Sequence, residues 1–337
     1  MGEEQAPARV LSGARPTSLL HLGNLVGALE NWVALQEEGL AAYYFVADWH
    51  ALTSHYADTG ALTRHAVEMT ADWLAAGLDP ARSTLFVQSW VPEHAELHLL
   101  LSMVTPLGWL ERVPTYKEQI EQLKERDLNT YGFLGYPVLQ AADVVIYDAR
   151  YVPVGEDQVA HLELTREIVR RFNHLYGQVL VEPQPRLTKV ARLRGTDGRK
   201  MSKSYGNALY LDDDADVIER KVMPMVTDPA RKRRTDPGDP ARCPVFDLHQ
   251  AFTPADRRDW AAEGCRTAGI GCVDCKKELL AHLQPRLAAH REKRRAHLRD
   301  RDTLLDILKD GSRRARRAAQ ATMARVRKAI RLDYTKP

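Results

Sequence analysis

Two short stretches of this chain carry side chains suited to handling phosphate. The first is His21-Leu22-Gly23-Asn24, which follows Ser12-Gly13-Ala14-Arg15-Pro16-Thr17. At a helix start, His21 and Asn24 lie three residues apart and face the same way, and both can donate hydrogen bonds to a phosphoryl group. A helix N-terminus adds unpaired N–H groups and partial positive charge. Gly23 lets a nucleotide come close to the backbone. Taken alone this tetrapeptide is a weak signal, and a His capping a helix accounts for it better. The second stretch is Lys200-Met201-Ser202-Lys203-Ser204, which follows the loop Gly195-Thr196-Asp197-Gly198-Arg199. Two lysines three apart on a glycine-bearing loop can both reach one pyrophosphate as flexible point charges. A solvated charged loop would explain the second stretch, but not both stretches in this order.

A third group is sulfur. Cys243, Cys265, Cys272 and Cys275 are the only cysteines, spaced C-x21-C-x6-C-x2-C. A reducing cytoplasm disfavours a disulfide framework and favours a metal or cluster. Structural zinc sites usually have two tight pairs, and only Cys272 and Cys275 make one. Four thiolates also suit an iron–sulfur cluster. Zn2+ and [4Fe-4S] therefore both stand at this point, with four free buried thiols as the bland alternative.

The elements that must position these residues alternate in type. Arg9–Ser12, Ala41–Asp48 and Ser83–Gln88 read as strands, and Tyr151–Gly155 as a short strand or loop. Helical spacing follows from Leu22, from Leu62 to Ala76, across Tyr136–Tyr147 and across Gln158–Tyr176. Glu93–Asp127 is mostly helical, and Pro183–Thr196 is irregular. Alternation of this kind predicts an α/β fold with a parallel sheet. Beyond Asp212 the pattern is almost wholly helical, with a Pro/Gly/Cys-rich interruption between Asp228 and Cys275. A domain boundary is placed near residue 200, giving domains 1–200 and 201–337.

Composition narrows the partners. The 337 residues are 44% hydrophobic, enough for a core, and no apolar run approaches the ~18 residues of a membrane span. The polar, acidic start Met1-Gly2-Glu3-Glu4 has no secretory apolar region, so a cytoplasmic protein with no membrane partner is expected. Residues 1–200 hold 18 Lys and Arg against 25 Asp and Glu, while residues 201–337 hold 30 against 20. A basic second half suggests a polyanionic partner, although solvated helix faces would give the same balance.

With both phosphate motifs in this order, the sequence resembles the class I aminoacyl-tRNA synthetases, and within them the bacterial tryptophanyl enzymes. The likeness runs from about Arg9 to Leu332 and is most specific at Gly13–Gly27, Tyr136–Tyr147, Val152–Gln158, His161–Arg166 and Arg199–Asn207. It implies a Rossmann-type doubly wound catalytic domain, a C-terminal helical domain and a homodimer. It also implies ATP, Mg2+, L-tryptophan and tRNA(Trp) as ligands. His21, Asn24, Lys117, Lys200 and Lys203 would be catalytic. Arg15, Pro16, Thr17, Gly23, Gly155, Glu156, Asp157, Leu193, Met201, Ser202 and Ser204 would complete the ATP site. Arg15 stands where Gln is common in the family.

An indole ring is large and apolar, with one N–H donor and no acceptor. A selective pocket needs apolar walls and one buried acceptor. Asp143, followed by Val144-Val145-Ile146, supplies an acceptor inside an apolar helix. In the family the Asp at this position takes the indole N–H. Gly13, His50, Tyr136, Gln140, Val152, Val154 and Gln158 match other amino-acid-site positions. Gln140 departs from a common Met and makes the segment resemble the sister tyrosyl enzyme, which is the alternative specificity. A subset of the tryptophanyl family carries a similar four-cysteine pattern that binds [4Fe-4S]. A non-catalytic, cluster-bearing RNA-binding paralogue is the alternative from outside enzymology.

Overall fold

The computed structural model describes residues 8–113, 127–155, 158–187, 193–332 and 334. Five parallel strands form one sheet: β1 (Arg9–Ala14), β2 (Ala41–Val46), β3 (Ser83–Val87), β4 (Tyr151–Val154) and β5 (Gln184–Leu187). Their order is β3-β2-β1-β4-β5, with Val10 level with Ala42 and Tyr151. The chain works outward from β1 to β3, then returns to add β4 and β5 on the other side. This reversal opens a crevice at the carboxyl ends of β1 and β4, where ligands bind in such sheets.

Both faces of the sheet are covered, which explains why β2 reads as a continuous apolar run. Val10, Tyr44, Val46, Leu85 and Val87 pack into one core, and Leu11, Phe45, Phe86, Val152 and Val154 into the other. The two-residue strand period sends alternate side chains to opposite helical layers.

On the first face, α1 runs from Leu22–Asn24 through a π-helical stretch, Leu25–Leu29, to Glu30–Glu37. It is followed there by α3 (Leu62–Ala76), whose expected bounds are met. Gly77, at φ 116°, closes α3 in the left-handed region that favours glycine. Between them, α2 (Asp48–His55) starts just past β2. On the second face lie α4 (Glu93–Ser102), α5 (Leu107–Glu111), α6 (Tyr131–Val145) and α7 (Val159–Tyr176). Helix α6 starts earlier than the expected Tyr136. Thr130 caps it by accepting from the Phe133 N–H, and Pro137 falls inside it.

The C-terminal part is helical: α8 (Ala215–Val222), α9 (Pro244–Phe252), α10 (Ala255–Arg266), α11 (Cys272–Arg299) and α12 (Arg301–Ala329). Helix α11 packs on α3 and α12 on β3. No helix among the described residues is long and apolar enough to cross a membrane. One expectation is corrected: the stretch Pro183–Thr196 is not wholly irregular, because it contains β5. That strand has a polar, proline-bearing sequence, which is tolerated only at a sheet edge.

Candidate active site

The two phosphate motifs are stitched together by backbone. Leu22 N donates to Leu209 O at 2.9 Å, and Leu211 N donates to Leu20 O at 2.9 Å. His21 thus forms a bridge with Tyr210, just beyond the lysine loop. Lys203 Nζ donates to Thr17 O at 3.1 Å, placing the lysine over the loop that leaves β1. Met201 is buried in the core, and its N–H donates to Leu193 O at 3.2 Å, so an apolar anchor holds the loop between its two lysines. Leu193 is itself buried core.

Asn207 clamps this loop from within. Its Oδ1 accepts from Ser202 N at 2.8 Å, and its Nδ2 donates to Lys200 O at 3.1 Å and Asp197 Oδ1 at 2.7 Å. A Cβ on Gly195 would lie 2.4 Å from the Asn207 amide, so glycine is required by that close approach. The Asn207 bond, supported by Arg199, holds the Asp197 carboxyl down at about 2. Sequence reading had assigned Asn207 no role. Its position four residues beyond the second lysine is the signal that points to it.

His21 accepts no charge here. Burial, and then the Lys200 charge, hold its imidazole down at about 4, so near neutral pH it acts by hydrogen bonding. Its Nδ1 is buried without a hydrogen-bond partner, and the His21 backbone N–H donates to Asn24 Oδ1 at 3.0 Å.

Beside the motifs, a cavity of about 310 Å³ opens at the ends of β1 and β4. That size is in the range of small-molecule sites. Gly13, His50, Tyr136, Gln140, Asp143, Val152, Val154 and Gln158 all line it, and so does Arg15. Gly13 forms the rim: a Cβ there would sit 2.5 Å from the Phe45 ring, so no larger residue fits. Tyr136 Oη lies 2.8 Å from His161 Nε2, another lining residue, which opens the specific stretch His161–Arg166 but carries no role in the sequence reading.

Asp143 sits at the cavity floor with 1% exposure. Gln88 Nε2 donates to its Oδ1 and Oδ2 at 2.8 and 2.9 Å. His94 Nδ1 lies 2.6 Å from Oδ1 and His50 Nε2 lies 2.8 Å from Oδ2. Burial alone would raise this carboxyl; His50 and His94 outweigh it and hold it at about 2. Asp143 is therefore an ionised, buried acceptor. Gln88 and His94 were missed in the sequence. They follow the carboxyl end of β3, and that position in an open α/β sheet was the available cue.

Lys117, Glu156 and Asp157 lie outside the described residues, as does the side chain of Ser204. Gly155 follows β4, and its carbonyl accepts from Gln158 N at 3.0 Å.

The cysteines gather around the start of α11. Cys243 precedes α9, Cys265 lies on α10, and Cys272 and Cys275 open α11. Burial first, then the charges of the other three, push the Cys275 thiol up to about 12. A Cβ on Gly238 would meet Cys265 Sγ at 2.8 Å, so the loop before α9 is pressed onto this group. Among the described residues no group of three or more His, Cys, Asp or Glu is arranged to hold a metal.

The family model "tRNA synthetases class I (W and Y)" matches residues 3–288. The tryptophan–tRNA ligase of Thermotoga maritima is 55% identical, with 97% of this chain and 100% of that protein covered. That of Ralstonia nicotianae is 47% identical, covering 98% of this chain and 100% of the relative. Among solved structures, the tryptophanyl-tRNA synthetase of Campylobacter jejuni complexed with ADP and tryptophan superposes with TM-score 0.85. It is 34% identical, with coverage of 96% and 99%. A tyrosyl-tRNA synthetase from Archaeoglobus fulgidus shares the fold at TM-score 0.68 and 21% identity, covering 86% of this chain and 91% of that one. Likeness along nearly the whole chain, on a sheet whose reversal point carries the paired phosphate motifs, leaves one assignment: this protein belongs to the class I tRNA synthetases of the W and Y group.

Proposed function

We propose that the protein is a tryptophan–tRNA ligase, which joins L-tryptophan to ATP as Trp-AMP, releases pyrophosphate and passes the acyl group to tRNA(Trp). The observation that carries the specificity is Asp143: an ionised acceptor, 1% exposed, at the floor of a largely apolar cavity. Gln88, His94 and His50 already hold this carboxylate ionised, and a substrate donor reaching that depth would add a charge-assisted hydrogen bond that an analogue lacking the donor forfeits. The indole N–H is that donor.

The tryptophan carboxylate is already a nucleophile, so the first step requires no general base. The residues act by position and charge. His21, held neutral, and Asn24 would donate to the phosphoryl group in flight. Lys200 and Lys203, with Lys117, would hold the leaving pyrophosphate, whose charge bound Mg2+ also neutralises. Arg15, Pro16, Thr17, Gly23, Leu193 and the loop Gly155-Glu156-Asp157 would enclose the nucleotide.

The four cysteines are assigned to a structural [4Fe-4S] cluster, with Zn2+ as the alternative occupant. The support is the donor set itself, four thiols brought to the start of α11, and not their arrangement, which among the described residues is not that of a metal-holding group. The helical part from about residue 201 would face tRNA, as its basic charge suggests. A homodimer is supported by the apolar surface on α4 and α5, where Leu99, Met103 and Leu107 are 52%, 72% and 58% exposed. The cytoplasm is the proposed compartment.

The test is pyrophosphate exchange with each of the twenty amino acids. Exchange with tryptophan alone is expected. Exchange with tyrosine instead would overturn the specificity, and exchange with none would favour the non-catalytic RNA-binding reading.

A further inference from the structure

We propose that His94, oriented by the Tyr147 hydroxyl, is the positioning residue that keeps Asp143 aimed and ionised as the acceptor of the indole N–H; this rests on the role given to Asp143 above. His94, Tyr147 and Gln88 are fully buried, and none of them lines the cavity. Among their hydrogen bonds, those to Asp143 connect both His94 and Gln88 to the cavity floor.

The hydrogen-bond directions follow from chemistry. An ionised carboxylate only accepts, so His94 Nδ1, at 2.6 Å from Oδ1, must carry a proton. We take His94 as the neutral imidazole, in which the other nitrogen is then bare. His94 Nε2 lies 2.6 Å from Tyr147 Oη. Burial pushes the Tyr147 phenol well above its ordinary range, so that hydroxyl keeps its proton and donates it to Nε2. Tyr147 thereby selects the tautomer in which His94 donates to Asp143. Without the hydroxyl, the proton can shift to Nε2, and a bare Nδ1 lone pair would then face the carboxylate. The Gln88 amide is fixed in the same manner. Its Oε1 accepts from Trp49 N at 3.1 Å and His50 N at 3.3 Å, which turns Nε2 toward Asp143.

Ring packing keeps this relay rigid. The His94 ring centroid lies 6.2 Å from both Phe45 and Phe86 and 5.3 Å from Tyr147, and Tyr43 stacks on Tyr147 at 4.8 Å. Of the described groups bonded to Asp143, only His50 lines the cavity. The buried pair therefore sets the carboxylate, and His50 shares its open side with the substrate.

The experiment uses the full chain and two amino acids of one shape: L-tryptophan and β-(3-benzothienyl)-L-alanine, in which sulfur replaces the indole N–H. KM for each is measured by pyrophosphate exchange, with KM for ATP as a check on folding. Wild type should prefer tryptophan by roughly tenfold or more, the scale of one hydrogen bond to a charged group. Tyr147→Phe and His94→Leu should lose most of that preference by raising KM for tryptophan alone. His94→Asn, whose amide can place a donor where Nδ1 stood, should retain it. If Tyr147→Phe and His94→Leu keep the preference, or weaken both amino acids equally, the relay is only structural and the proposal fails. Asp143→Ala separates the two ideas. If it loses the preference, the reading of Asp143 stands whatever the His94 variants do. If it keeps the preference, that reading fails, and the relay with it.

Discussion

Lys203 and Gly13 show how differently single residues carry function here. Lys203 reaches across to the Thr17 carbonyl, so its ammonium lies between the lysine loop and the loop that follows β1. Lys203→Ala should slow pyrophosphate exchange by about 3 kcal/mol in the barrier, roughly a hundredfold. Tryptophan binding, measured by equilibrium dialysis, should change little, and equal loss of both would remove Lys203 from the leaving-group role. Gly13 contributes by having no side chain, since Phe45 fills the space a Cβ would need. The lysines could be read from their spacing because phosphate chemistry constrains residue type. Phe45, His94 and Gln88 could not, because their roles depend on which strands become neighbours.

At the scale of elements, α12 and β3 form a joint that local sequence does not reveal. β3 is an edge strand, and edges must be covered or blunted. Helix α12 lies on it so closely that a Cβ on Gly311 would fall 1.8 Å from the Leu85 carbonyl oxygen. The Val87 N–H, on the same strand, donates to Ser312 Oγ at 3.2 Å. Gly311→Val should therefore destabilise the protein by at least about 2 kcal/mol, read from the urea unfolding midpoint. Gly60→Ala, with nothing near its Cβ, is the control and should leave the midpoint within about 0.5 kcal/mol. β2 was legible because burial on both faces makes it an apolar run, β1 and β3 as short strand-like stretches, and β4 only as a short strand or loop. β5 was not, because an edge strand can be polar and carry Pro185.

The whole molecule joins an acidic first half to a basic second half, and buried charge ties them. Asp72 on α3 meets His290 Nε2 at 2.9 Å and Arg294 Nε at 3.1 Å on α11, and Arg294 Nη1 donates to Asp212 Oδ1 at 2.8 Å. The segment after the lysine loop is thus tied to α11 of the basic part. Two predictions belong to this scale. Anaerobically purified protein should be brown and carry about four irons per chain, and a colourless, zinc-bearing protein would displace the cluster assignment. Light scattering at micromolar concentration should give twice the chain mass. Met103→Glu should shift that mass toward one chain without moving KM for ATP, and an unchanged dimer would place the interface elsewhere.

What the amino-acid sequence determined by itself was the chemistry of the ends: two phosphate motifs, four thiols, one carboxylate in an apolar helix and the strand–helix alternation that presents them. Each follows from local rules, because residue type, spacing and burial period are properties of neighbouring positions. What only the tertiary structure decided was the company those residues keep. Asp143 is an ionised acceptor because residues 49, 55 and 93 positions away in the chain converge on it. The lysine loop is poised because Asn207 and Met201 anchor it and Thr17 receives Lys203. Such contacts arise from strand order and the closing of the core, and periodicity along the chain carries no record of them.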